Sequence, residues 1–120
     1  MAKSELPERT IEFALRIIKV AQKLDEKAGT ARILSNQLLR AGTSIGANVS
    51  EGQGAQSEAD FLTKLSIALK EARETQYWLT LIVRSELFSS HSLSSLTKEC
   101  DELIAILTAS CKTLKAKRSS

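Results

Sequence analysis

Residues 93–114 read LSSLTKECDELIAILTASCKTL, and the spacing of apolar residues in this stretch decides the fold class. Leu93, Leu96, Cys100, Leu103, Leu107, Cys111 and Leu114 recur at steps of three or four. On a helix of about 3.6 residues per turn, that spacing lines all seven along one narrow seam. A half-buried strand would alternate every second residue, and no stretch of the chain does so. Glu99, Asp101 and Glu102 come before Lys112, Lys115 and Lys117, an order that suits the helix dipole. The pattern predicts a helix over about 92–117, with Phe88-Ser89-Ser90-His91 as the turn before it. Cys100 and Cys111 would stand about 16 Å apart on one helix, at a rise of ~1.5 Å per residue. A disulfide needs Cα atoms within ~7 Å, so both read as reduced core residues.

Working back toward the N-terminus, Ser57-Glu58-Ala59-Asp60 resembles a capping box, with Ser57 as the cap of a helix over about 57–87. Its main stripe is Phe61, Leu62, Leu65, Ala68, Leu69, Ala72, Leu79, Ile82 and Val83. A second apolar strip, Ile67, Trp78 and Leu81, lies on another side. The segment over about 31–54 has the stripe Leu34, Leu38, Ala41, Ile45 and Val49. Gly42 and Gly46 are one turn apart and share a face. Each glycine costs a helix about 1 kcal/mol. The pair points to close approach of a neighbouring helix, or alternatively to a kink. The first segment, over about 7–28, starts near Pro7 and stops at Gly29-Thr30. Its apolar residues spread over an arc of about 220°, roughly twice what one-sided burial requires.

Four amphipathic helices with short connections predict an all-α protein, an up-down-up-down antiparallel four-helix bundle forming one domain over residues 1–120. With aromatics at 4%, the core has to be built from Leu, Ile, Ala and Val. A simple bundle leaves part of the first helix and the Ile67–Trp78–Leu81 strip uncovered. These three residues are therefore the expected interface of a homo-oligomer, the alternative being that Trp78 caps one end of the core.

The residues argue against several chemistries. His91 is the sole histidine, and no Glu-x-x-His pair exists for a di-metal bundle. The cysteines lack zinc-site spacing, and a thiol on an apolar seam is a poor nucleophile. No phosphate-binding glycine loop occurs in the required context. The expectation is a non-enzymatic protein with no catalytic residue, metal or cofactor. Met1–Thr10 is charged and lacks the apolar core of a leader, and no run is long enough to span a bilayer. A cytoplasmic location without membrane contact is expected.

Net charge is +3, yet residues 112–120 contain Lys112, Lys115, Lys117 and Arg118 with no acid, so the remainder is slightly acidic on balance. Basic residues do gather in strips. Arg16, Lys19 and Lys23 share a face of the first helix with Arg9 and Lys27. Lys70, Arg73 and Arg84 share one on the third. With Lys112 and Lys115 these are the candidate contacts to RNA or DNA phosphates, and Tyr77 is placed to stack a base. The plainer reading is a set of solvated faces with Glu12, Glu71 and Glu74 interleaved. Arg40, Asn48 and Glu51 form a polar group on the second helix, either a site or a set of bonds across helices.

Two blocks carry a resemblance over nearly the whole chain: Gln37–Gly52, QLLRAGTSIGANVSEG, and Asp60–Leu79, DFLTKLSIALKEARETQYWL. Together they resemble the bacterial four-helix-bundle family first associated with intervening sequences in 23S ribosomal RNA genes. The resemblance implies an up-down bundle, a homopentamer and no known enzymatic activity. A related branch serves as the accessory protein of diversity-generating retroelements, where a basic pentamer engages a reverse transcriptase and nucleic acid. The family's recurring polar positions match Arg40, Asn48 and Glu51. Two functions follow as expectations: a nucleic-acid-binding or ribonucleoprotein accessory oligomer, or a protein-protein interaction scaffold with no nucleic-acid role.

Overall fold

The computed structural model describes residues 5–119. It contains four helices: α1 (Glu5–Asp25), α2 (Thr30–Gln53), α3 (Glu58–Arg84) and α4 (Ser90–Ser119). There is no strand among the described residues. α1 packs on α2, α2 on α3, and α3 on α4, while α1 meets α4 only loosely and lies diagonally across from α3. The result is an elongated all-α bundle measuring 51 × 23 × 21 Å.

The seam that predicted α4 is its buried face: Cys100, Leu103 and Leu107 are fully enclosed, and Leu93, Leu96, Cys111 and Leu114 nearly so. Leu38, Ala41, Ile45 and Val49 of α2 are likewise enclosed, as are Phe13, Ile17, Ala21 and Leu24 of α1. α2 runs unbroken through Gly42 and Gly46, so the close-approach reading holds. A Cβ on Gly42 would lie 2.8 Å from both Cγ1 and Cγ2 of Ile17, and one on Gly46 would lie 3.2 Å from Thr10. Three hydroxyls help seat these helices. Ser35 Oγ donates to the Ala21 carbonyl across the α1–α2 contact at 3.0 Å. Thr10 and Thr75 donate within their own helices, to Pro7 and Glu71. Each buried polar side chain thus has the partner that burial requires.

Helix ends depart from the sequence reading at several places, three of them with a clear physical cause. α1 stops at Asp25 rather than Ala28, because Glu26 and Lys27 bond back to the Lys23 and Leu24 carbonyls and Gly29 then takes a φ of 75°. α4 begins at Ser90 within the expected turn: Ser89 Oγ accepts from the Ser92 amide at 3.0 Å and acts as the cap. α3 ends at Arg84, three residues early. Leu87 N–H bonds the Ile82 carbonyl and Glu86 N–H bonds the Val83 carbonyl, with Glu86 at a φ of 63°. That is a Schellman ending with glutamate in the position usually held by glycine. The start of α3 is as read: Ser57 Oγ accepts from the Asp60 amide at 3.1 Å, and Asp60 accepts from the Gln56 amide.

Left-handed backbone is unfavourable for a residue with a Cβ by about 1 kcal/mol or more. Glu86→Gly is therefore expected to stabilise the fold by about 1 kcal/mol, read as a higher urea midpoint at unchanged slope. A lower midpoint would show that Glu86 contributes more through its side chain than its backbone costs.

Candidate functional site

The polar residues of α2 do not meet at one site. Arg40 reaches across to α3, where it pairs with Glu71 at 3.3 Å and with Glu74. Glu51 pairs with Lys64 of α3 at 3.1 Å. Asn48 stays within its helix, its Nδ2 donating to the Ser44 carbonyl at 2.8 Å. Two of the three thus tie α2 to α3 through exposed or half-exposed ion pairs, each worth up to about 1 kcal/mol.

The Arg40 network reaches the expected interface strip. Trp78 Nε1 donates to Glu74 Oε2 at 3.0 Å, so the indole and the guanidinium converge on one carboxylate. Trp78 is half-buried, packed partly on the core and edge-on to Tyr77 at 5.2 Å between ring centres. Leu81 is half-buried too, whereas Ile67 is exposed. None of the three is enclosed by the single chain. More apolar side chains lie open than the strip alone accounts for: Ile11 and Leu15 on α1, Ile33 on α2, and Tyr77 on α3. Ile11 and Leu15 belong to the surplus arc of the first helix, while Ile33 lies off the apolar stripe of the second.

The candidate phosphate contacts are all on the surface but do not form one patch. Arg16 is half-buried and bonds Ser95 of α4 at 2.9 Å. Lys19, Lys23, Lys70, Arg73, Arg84, Lys112 and Lys115 are exposed, and none makes an ion pair among the described residues. The α1 and α3 strips belong to diagonally opposed helices, so no ligand contacts both on one copy without wrapping the bundle. Arg9 leaves the basic strip altogether. Its guanidinium pairs with Glu99 at 2.6 Å and Glu102 at 3.1 Å, closing the loose α1–α4 side. The Glu99 bond raises the Arg9 pKa above its ordinary value, against an opposing effect of partial burial.

Both cysteines are free and buried. Cys100 bonds the Ala72 carbonyl, and burial pushes its thiol pKa up to about 12, reinforced by Asp101 and Glu99. It is expected to resist alkylation at pH 8 in the folded protein and to react once the protein unfolds, as mass spectrometry after pulse labelling would show. The unfolded thiol ionises near pH 9, well below the folded one, so this contribution to stability is intact below pH 9 and declines as pH rises toward 12. A fast-reacting Cys100 in the native state would contradict the buried seam.

Among the described residues no group of three or more His, Cys, Asp or Glu side chains is arranged to hold a metal ion. No described helix is long and apolar enough to cross a membrane. The fold and surface together define a four-helix bundle with charged strips and uncovered apolar side chains. The family model described as 23S rRNA-intervening sequence protein matches residues 2–109, and the chain belongs to that family. One solved structure to which the chain is similar is described as a protein with unknown function from the S23 ribosomal protein family of Bacteroides thetaiotaomicron VPI-5482. The two are 40% identical with a TM-score of 0.85, over 93% of this chain and 99% of that one. No curated protein matches the chain.

Proposed function

We propose that this protein is a non-enzymatic, cytoplasmic homo-oligomer that acts as a nucleic-acid-binding or ribonucleoprotein accessory factor. The observation that carries the reading is the coexistence of two features on one chain. Apolar side chains stay uncovered on three helices, and unpaired cations stand on diagonally opposed ones. Self-association covers the first and multiplies the second. A ring of copies, five as the resemblance to the family implies, repeats the α1 and α3 strips once per copy. It converts a weak monomer surface into a repeated array of phosphate contacts. The descriptions of the family and of the solved neighbour, both framed in ribosomal terms, favour RNA over other polyanions.

The same uncovered residues favour a second reading, a scaffold for another protein with no nucleic-acid role. A salt series separates the two. The oligomer is expected to bind single-stranded RNA with an affinity that falls by tenfold or more between about 50 and 200 mM salt. The double variant Lys19→Glu/Arg73→Glu is expected to abolish binding while leaving sedimentation unchanged. Salt-independent binding, or none at low salt, overturns the nucleic-acid reading. A strictly monomeric protein overturns the assembly on which it depends.

A further inference from the structure

Between α3 and α4, near the end where they are joined, lies an open groove of about 430 Å³. That volume falls within the range of about 300–1,000 Å³ typical of small-ligand sites. Its floor is apolar, formed by the buried Leu79 and half-buried Val83. Its rim bears two cations, Arg84 from the last turn of α3 and Lys98 from α4. Both are exposed and neither makes an ion pair or hydrogen bond among the described residues. Thr80 and Ser94 line it with hydroxyls that already donate to the Gln76 and His91 carbonyls, and the first turn of α4 opens at the same end as Arg84, contributing partial positive charge. The carboxylate in the groove, Asp101, is held from one side by Gln76 Nε2 at 2.7 Å. Glu86 lines a neighbouring cleft and not this one. The groove thus carries Arg84 and the helix terminus at one end, and Lys98 one turn from Asp101 toward the other.

We infer that this groove binds a small organic phosphate of nucleoside-monophosphate size. The phosphate is held by Arg84 and the first turn of α4, the planar or apolar part lies over Leu79 and Val83, and Lys98 guards the open side. A donor group on the far end of such a ligand, an exocyclic amine for instance, meets Asp101. Guanidinium recognition of phosphate is geometrically specific, whereas the apolar floor selects for a ligand larger than the bare anion. The site takes Arg84 from the α3 strip and nothing from α1, so an α1 variant separates its failure from that of the accessory reading.

The probes are adenosine 5′-monophosphate, adenosine and inorganic phosphate, titrated into the full chain at low salt and followed by protein NMR. The nucleotide is expected to bind with a dissociation constant of about 0.1–1 mM, shifting resonances of Thr80, Val83 and Ser94. Adenosine and inorganic phosphate are each expected to bind at least tenfold more weakly. Arg84→Gln/Lys98→Gln is expected to weaken nucleotide binding at least tenfold without altering the fold, because neither side chain supports it. Lys19→Gln/Lys23→Gln on α1 is expected to leave binding unchanged. Absence of shifts in the groove overturns the inference, as does wild-type affinity in the Arg84/Lys98 variant. Equal affinity for bare phosphate overturns the assigned ligand class.

Discussion

Replacing Gly42 with valine is expected to destabilise the protein by about 2–3 kcal/mol, seen as a fall in Tm of about 10 °C. The cause is space rather than backbone conformation. A Cβ at this position would already lie 2.8 Å from two carbons of Ile17, whose side chain is fully enclosed and has nowhere to move. Valine adds two methyl groups to that collision. The gain in helix propensity over glycine, a few tenths of a kcal/mol, offsets little of it. The control is Ile17→Ala, which by itself leaves a cavity and costs about 2–5 kcal/mol. Combined with Gly42→Val it is expected to be less harmful than the sum, with a coupling of at least about 1 kcal/mol. Additive losses would mean that the two helices are not in contact here. Gly46→Ala meets Thr10 at 3.2 Å and is expected to be nearly neutral, since a small shift is balanced by the helix preference of alanine.

The second large effect belongs to α4. Leu103→Ala is expected to cost about 3–4 kcal/mol, because the side chain is fully enclosed and its loss leaves a void between helices. Ile106→Ala, in the same helix but only half-buried at the edge of the core, is expected to cost less than about 1.5 kcal/mol. Urea denaturation of the two variants measures the contrast. If the order reverses, α4 is rotated about its axis and the seam does not face the bundle.

The seam of α4 was legible because spacing by itself selects one face, and all seven of its residues are buried. The glycine pair was legible because its cost to an isolated helix needs a tertiary explanation, which Ile17 and Thr10 supply. The end of α3 was not: no glycine marks the left-handed residue, since glutamate occupies it, and the apolar pattern continues through Leu87. Arg9 was misplaced for a different reason. Its acids lie about ninety positions away on α4, and linear order carries no trace of that meeting. The basic strips of α1 and α3 were each visible as strips, yet only the diagonal placement of their helices shows that one copy does not offer them together. The Trp78–Glu74 bond was open to inspection, being a one-turn pair on a single helix, but assigning Trp78 wholly to an apolar strip hid it.

The bundle has one continuous apolar core, but on one side its helices stand further apart and charge spans the rim. Where α1 passes α4, Arg9 with Glu99 and Glu102, and Arg16 with Ser95, bridge a gap that the helix backbones do not close. Such a fastening responds to ionic strength, whereas the other three junctions respond chiefly to temperature. Opening along that side is expected to disturb fewer backbone contacts than opening any other, with α2 and α3 keeping the rest together.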